Sequence, residues 1–356
     1  MDFSPELLNI KESRLRIDSS DFSLSGTLTN MLGYYKGDSL LKGDFSFVSK
    51  QTDVLQLMSL TSGIGNEEVD STANVVADST ASTGPFMVPK GVDFTLRTKV
   101  DKAFFGTEIA RDISGEVKVK DGLLVLNELL FTTPASKMQL TAMYRTPRTN
   151  HIYAGFDYHM LDIQIEDLLK MVPDLDSIMP MLKSFKGTGE FHFAAETYLD
   201  SLYNPKKSTI RGVGSVKGND LVLMDGETFT EIAKTLRFTK KAENKVDSLS
   251  AEFTIYKQEI DIYPFMIVMD RYKAVVAGRH NMDMSFNYNI SLIESPLPLK
   301  ICVDVNGTID DLKYKPVKCQ YGDLYRPTSR MLLQNKQMEL RRLIRESLVS
   351  KVVVEQ

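Results

Sequence analysis

From Met282 to Leu292 the chain alternates at every step, with Met282, Met284, Phe286, Tyr288, Ile290 and Leu292 on one parity and Asp283, Ser285, Asn287, Asn289 and Ser291 on the other. Successive side chains on a strand point to opposite faces, so this run reads as a strand with one apolar and one polar surface. At about 3.3 Å per residue it spans roughly 35 Å, about twice an ordinary strand. Long one-sided strands belong to a broad sheet with an extended apolar face. What covers that face decides the function.

The same alternation recurs along the chain. LRIDSSDFSLSGTL and GDFSFVS, interrupted by Gly26, Gly33, Gly37 and Gly43, read as strands joined by turns. VDFTLRTKVDKAFFG and GEVKVKDGLLVLNELLF continue the pattern, and Asp121-Gly122 between two alternating runs is a hairpin signature. GTGEFHFAAETYL and RGVGSVKGNDLVLMDG are further strands, and strands run on to about Ile309. Helical spacing is confined to Asp53–Leu60, to two short amphipathic stretches between Leu161 and Phe185 broken by Pro173 and Pro180, to Glu227–Leu236, and to the tail Thr328–Val354. Ser62–Gly91 is rich in Ser, Thr, Ala and Asp and reads as a mobile loop.

A weak internal repeat is present. GEVKVKDGLLVLNELLFTTPASKMQLTAMY followed by HIYAGFDYHML matches AEFTIYKQEIDIYPFMIVMDRYKAVVAG followed by NMDMSFNYNISL. Each copy ends in a strand with an aromatic pair, Phe156 and Tyr158 or Phe286 and Tyr288. Units of this kind extend one sheet when set edge to edge.

Several function classes lose support. A formal charge of -4 gives no electrostatic case for nucleic acid. His151, His159, His192 and His280 are scattered, with no spacing that points to zinc, and His159 and His192 read as ordinary sheet-surface residues. Gly187-Thr188-Gly189 and Gly212-Val213-Gly214 lack the following helix that binds phosphate and read as turn and bulge positions. No catalytic residue, metal ligand or cofactor is expected. An enzyme acting on glycans would favour tryptophan as a stacking surface, and the chain has none. Cys302 and Cys319 leave two readings open, a bridge in an oxidising compartment or two separate thiols. No run of about 18 apolar residues and no signal peptide is present.

The tail carries Leu333, Leu340, Ile344, Leu348 and Val352 on one stripe and a basic opposite side that includes Arg341, Arg342 and Arg345. Those three arginines are candidate contacts with a membrane surface or protein partner. A helix capping the sheet with its basic side in solvent is the favoured alternative.

The ordered series FKGTGEFHF, the small-residue strand before Leu221–Gly226, the helix Glu227–Leu236, Val246–Leu249, Phe253–Ile262 and Val305–Pro316 resembles the C-terminal region of AsmA-like proteins. IEDLLKMVPDLDSIM resembles the segment ahead of it, so the likeness covers roughly residues 92 to 322. The resemblance implies a Gram-negative periplasmic β-groove with an apolar interior, related to bridge-type lipid transporters and to outer-membrane assembly. It carries no catalytic residues. That family has an N-terminal inner-membrane helix that this chain lacks, so a C-terminal piece or a truncated relative is implied.

The expectation is therefore a mainly β (α+β) protein: a long, curved, mostly antiparallel sheet forming an apolar groove, with a few short helices and a C-terminal helix. Residues 1–61 form a β-rich segment of the same sheet, 62–91 a disordered loop, 92–322 the AsmA-like groove region and 323–356 the basic helix. Phospholipid acyl chains are the expected ligand. The expected lining is Phe253, Ile255, Ile260, Ile262, Met282, Met284, Phe286, Tyr288 and Ile290, with Ile152, Ala154, Phe156 and Tyr158 from the first repeat copy. A ligand-free envelope scaffold that docks other assembly factors is the alternative.

Overall fold

The computed structural model describes residues 2–4, 6–56, 85–106, 108–171, 185–223, 244–269, 272–283, 285–295, 300–308 and 311–321, with 339, 341–343, 345 and 346 near the C-terminus. Among the described residues, seventeen strands form one open sheet. They are β1 (Asp2–Phe3), β2 (Leu7–Ile17), β3 (Ser20–Thr29), β4 (Leu41–Asp53), β5 (Val92–Phe105), β6 (Glu108–Lys120), β7 (Leu123–Thr132), β8 (Lys137–Arg148) and β9 (His151–Gln164). There follow β10 (Phe185–Leu199), β11 (Arg211–Leu223), β12 (Asn244–Tyr256), β13 (Glu259–Met269), β14 (Tyr272–Asn281), β15 (Phe286–Glu294), β16 (Cys302–Gly307) and β17 (Leu312–Pro316). Each strand pairs with the next in the chain, antiparallel throughout, except that β4 and β5 run parallel. Short helices α1 (Met31–Lys36) and α2 (Ile165–Met171) sit between strands. With neighbours ~4.8 Å apart, the sheet extends roughly 75 Å across its strands.

The two repeat copies are the same unit, a four-strand meander, β6 to β9 in one and β12 to β15 in the other. The Asp121-Gly122 hairpin joins β6 to β7, with φ of 42° and 82° at its two residues as a type I′ turn requires. Of the other expected helices, residues 54–56 are helical and α2 falls in the first of the two stretches. The second stretch, Glu227–Leu236 and most of the loop at 62–91 lie outside the described residues. In the tail, 339, 341–343, 345 and 346 are helical.

Three expectations are corrected. The strand expected from Met282 begins at Phe286, because Asp283 accepts hydrogen bonds from the backbone N–H and the hydroxyl of Ser285, at 2.9 and 2.6 Å, and closes a turn. Alternation continues through a tight turn as readily as through a strand, so pattern alone misses the break. Leu161–Gln164 is the end of β9 and not the start of a helix. A bulge there, with Asp162 at φ 53°, breaks the two-residue period just before α2, so that Ile163 at the strand's end joins the apolar spacing of Ile165 and Leu168. Gly212 and Gly214 lie inside β11, and Gly26 and Gly43 inside β3 and β4, rather than in turns. Gly187, at φ 132° beside a register shift, is a bulge as expected.

The mid-strand glycines have a packing reason. A Cβ on Gly214 would collide with the ring of Phe253, and one on Gly43 with the rings of Phe45 and Phe94. Phe253 and Phe94 lie over a glycine of the neighbouring strand and Phe45 over one of its own, filling space where no side chain stands. Gly214→Val should therefore lower stability by roughly 1–3 kcal/mol, read as a shifted urea midpoint, while Val216→Ile, on the same side of the same strand but half-buried, should shift it far less.

Cys302 and Cys319 form a disulfide with Cα atoms 5.1 Å apart, which settles the two readings. It returns the chain after β17 onto β16, where the Val317 N–H also donates to the Cys302 carbonyl at 3.0 Å. Closing a loop of this size is worth about 3 kcal/mol in the chain-entropy account. Cys302→Ser should show a loss of that order in chemical denaturation, and reductant should bring the wild type to the same midpoint.

Candidate apolar-face site

Register fixes which residues share a side. Phe253 faces Ile262 on β13 and Gly214 on β11, Gly214 faces Phe193 on β10, and Phe193 faces Tyr158 on β9. In the other direction Ile262 leads through Gly278 on β14 and Tyr288 on β15 to Val305 on β16 and Tyr314 on β17. From Tyr158 the row continues through Leu140 to Leu129, and farther on Val117 opposes Leu96, which opposes Phe45, which opposes Gly26, which opposes Ile10. One side of the sheet is thus apolar from β2 to β17.

Rings join the strands along this side. Phe22 and Phe47 have centroids 5.5 Å apart, and Phe45 and Phe94 5.8 Å. Phe156 reaches Phe193 at 5.4 Å, Phe193 reaches Phe253 at 6.1 Å, and Phe286 reaches Tyr288 at 5.3 Å. Edge-on and offset rings at these separations add modestly to their burial energy. The Tyr158 hydroxyl donates to the Met138 sulfur at 2.6 Å, and burial pushes its ionisation up to about 12. Burial likewise raises Tyr288, so both phenols stay neutral at physiological pH.

Cover differs along the face. Ile290, Val303, Val305, Phe265, Val276 and Leu292 form one closed cluster with Ile165 of α2. A second cluster, Met138, Met160 and Ile163 with Leu168, sits under the same helix. A third cluster, Val100, Ala103, Ala110 and Ile113, lies on β5 and β6. Beside these clusters Phe22, Leu24, Phe45, Phe47, Phe94, Leu96, Leu126, Leu140, Phe156, Tyr158, Phe191 and Phe193 are half-buried, Phe47 packed on the third cluster and Tyr158 and Phe191 on the second.

The expected lining residues fall accordingly. Ile152 is 0% exposed, and Phe253 and Ile290 at 8% belong to the core as well. Ile255 is buried as well. Ile260, Ile262, Phe286, Tyr288, Ala154, Phe156 and Tyr158 are half-buried on the apolar side. Met282 stands in the turn before β15, and Met284 lies outside the described residues. Sequence reading missed Phe45, Phe47, Phe191 and Phe193. Their signal was available: FSF at 45–47 and FHF at 191–193 repeat the aromatic-x-aromatic form of FDY at 156–158 and FNY at 286–288, and all four pairs share one side.

The opposite side is polar and cross-linked by charge. Arg97 binds Asp44 with two nitrogens, the longer bond 3.0 Å. Arg279 binds Asp261 at 2.7 Å, His192 meets Asp157 at 2.6 Å and His159 meets Glu190 at 2.7 Å. The two histidines are thus sheet-surface residues held by carboxylates. Asn289 and Ser291, expected to be wet, are buried: the Ser291 hydroxyl donates to Asn289, and Asn289 donates to Asp304 at 2.7 Å. The disulfide segment explains this, since Cys302 is the register partner of Ser291.

The C-terminal helix lies on this polar side. Arg341 is only 6% exposed and feels the charges of Glu252, Asp157 and Glu190, although burial lowers the pKa of its guanidinium. Arg345 forms an ion pair with Glu128. Arg342 is exposed and faces Glu346. The three arginines expected at one outer surface therefore divide, with Arg341 serving the fold. Among the described residues no cluster that could hold a metal ion occurs, and no helix is long and apolar enough to cross a membrane.

No family model, no curated protein and no solved structure matches this chain.

Arg341→Met should destabilise the protein by roughly 3 kcal/mol, because it strands carboxylates that the guanidinium compensates. Arg342→Ala should stay within about 0.5 kcal/mol of wild type. Equal urea midpoints for the two variants would contradict this placement of the helix.

Proposed function

We propose that this chain is a non-enzymatic lipid-binding protein whose apolar sheet face takes phospholipid acyl chains. On the resemblance to AsmA-like proteins, it acts in the Gram-negative periplasm, as part of an inner-membrane-anchored protein, in phospholipid movement between membranes and in outer-membrane assembly. One observation carries the reading: beside the buried clusters on β5–β6 and β8–β9, large apolar side chains on the same side of the sheet stay half-buried, among them Phe22, Phe45, Phe94, Leu126, Leu140, Phe156 and Phe193. An ordinary core buries such residues fully, and a set of half-covered apolar rings on one side is the form a ligand or partner surface takes. An apolar, aromatic-rich surface with few polar partners suits chains of variable length better than one fixed small molecule.

The closed cluster on β12 to β17 favours a second reading for that part, an envelope scaffold whose interior is filled by its own side chains. Native mass spectrometry of gently purified protein separates the two. Copurifying phospholipid supports the carrier, and its repeated absence supports the scaffold.

Residues for a direct test must come from the half-buried strip. Ile290 is unsuitable, because an aspartate inside the closed cluster would unfold it. Phe45→Asp and Phe156→Asp should each cut crosslinking to a phospholipid with a photoactivatable acyl chain at least fivefold while leaving the far-UV spectrum intact. Arg97→Ala, on the polar side, should leave crosslinking unchanged. Full crosslinking in both aspartate variants would end the carrier reading.

A further inference from the structure

One rim of the sheet carries the connections that lead into β4, β5, β7, β9, β11 and β13, since β4 and β5 start side by side and the remaining pairs are antiparallel. Residues 86–91 run along this rim, and a tyrosine holds each end. The Phe86 N–H donates to the Tyr203 hydroxyl at 2.7 Å, and the Phe86 carbonyl accepts from Tyr144 at 2.9 Å. At the other end a Cβ on Gly91 would meet the Tyr34 ring at 3.1 Å. Tyr34 belongs to α1 and Tyr203 to the β10–β11 loop, so the segment ties together two protrusions that stand roughly 25 Å apart by strand count.

Both protrusions hold apolar side chains in water. Among the described residues, Tyr35 at 90% and Leu202 at 72% are the most exposed large apolar side chains. Single exposed leucines are ordinary, but this one is held out by its own loop. The Asp200 carboxylate accepts from the N–H groups of Leu202 and Asn204, both at 2.9 Å, and from Asn204 Nδ2 at 3.0 Å. The Asp200 N–H donates to the Asn204 carbonyl at 3.0 Å and the Lys206 N–H to the Tyr198 carbonyl at 2.7 Å. Tyr203 stands at φ 64°, a left-handed conformation that a bulky side chain adopts only under constraint. Folding Leu202 back onto the sheet would break these bonds.

The rim is also basic. Arg148 in the β8–β9 turn and Lys207 are exposed, and Lys206 reaches that turn by donating from Nζ to the Asn150 carbonyl at 2.6 Å. Across residues 30–40, 85–91, 121–122, 147–150 and 200–210 the cations are Lys36, Lys90, Arg148, Lys206 and Lys207, and the carboxylates are Asp38, Asp121 and Asp200. The excess is positive, and Asp121 and Asp200 are turned to backbone N–H groups, of Gly91 for the first and of Leu202 and Asn204 for the second. Two projecting apolar tips on one line, set among cations and tyrosine rings, match a planar anionic interface. Leucine enters the acyl boundary, phenol rings stop at the headgroups, and long basic side chains reach phosphate.

We propose that this rim docks the protein on an anionic phospholipid bilayer, with Leu202 and Tyr35 in the interface and Arg148, Lys206 and Lys207 against lipid phosphates. The surface is separate from the apolar face and goes beyond the acyl-chain reading. Docked this way, the sheet lies with its long axis along the membrane, and strand ends rather than the C-terminal helix meet the lipid.

The chain has no tryptophan, so Leu202→Trp places a single reporter in the whole protein. With vesicles of phosphatidylcholine containing about one third phosphatidylglycerol, its emission should shift to the blue and be quenched by acyl-brominated phosphatidylcholine. Leu55, 57% exposed beyond the end of β4 on the opposite rim, gives the control: Leu55→Trp should show neither change. The double variant Arg148→Glu, Lys207→Glu should lower affinity for these vesicles at least tenfold with an unchanged far-UV spectrum, and wild type should bind pure phosphatidylcholine at least tenfold more weakly. An unquenched reporter at position 202 overturns the proposal and leaves the loop to a protein partner. Equal quenching at positions 202 and 55, or wild-type affinity in the charge variant, overturns it as well. Photocrosslinking to dispersed phospholipid, without a bilayer, reads the apolar face alone. Crosslinking kept while vesicle binding is absent removes docking only, and the reverse removes the carrier reading only.

Discussion

Parity is the constraint on which this molecule depends. Every strand hands its register to the next, so a residue's side of the sheet is fixed by a chain of backbone hydrogen bonds reaching from β2 to β17. One slipped residue anywhere would turn the apolar set of a strand outward. Bulges are where the chain corrects itself. On β7 the apolar side is held by Leu124 and Leu126, then by Leu129 and Phe131, and the change from even to odd happens at a register shift where Glu128 sits at φ 48°. On β13 the same change separates Ile260 and Ile262 from Phe265 and Ile267. The irregularities keep the face continuous and add twist.

That mechanism explains what could and could not be read from the sequence. The sheet, its antiparallel order, the Asp121-Gly122 hairpin and the two repeat copies were legible because alternation and turn chemistry are local. The bulges were not, because they break the two-residue period on which a strand is recognised; Ile163, at the end of β9 and just before α2, is the instance. The run at Met282 failed for the opposite reason, since a turn stabilised by Asp283 preserves the alternation it interrupts. The parallel pairing of β4 with β5 has no sequence signal, because direction depends on the route the chain takes between them. For the site, parity chose the correct side for Phe156, Tyr158, Phe253, Phe286 and Tyr288. It could not say that Ile152, Phe253 and Ile290 are closed over while Phe156 is half-covered, because cover comes from elements distant in sequence.

The polar side has its own logic. A sheet with one oily face needs the other to hold water or charge, and here arginine and lysine pair with carboxylates across strands. Where another element settles on that side, the polar groups stay paired beneath it: Asn289 and Ser291 close on each other and on Asp304, and Arg341 meets the carboxylates of β9, β10 and β12. A helix with a basic side was read as a candidate for an anionic membrane, but the nearest anionic surface is the sheet's own. Intramolecular charge has the advantage that no translational freedom is lost when the two meet.

The gradient in cover along the apolar face also separates two kinds of stability. Residues of the closed cluster on β12 to β17 are saturated with neighbours, so removing one leaves a cavity whose cost grows with its volume. The half-buried rings, such as Phe45, Phe156 and Phe193, have already given up part of that burial, and their removal forfeits less of the fold and more of the surface. A face assembled only to hold the sheet together would gain by covering Phe45, Phe156 and Phe193 as completely as it covers Ile290. Leaving them half-covered costs stability on the order of 25 cal/mol for each Å² kept in water, and that cost is coherent if a second apolar body completes the burial. On the proposed function, saturated hydrocarbon would be that body, because it demands no hydrogen-bond partners from a face that offers so few.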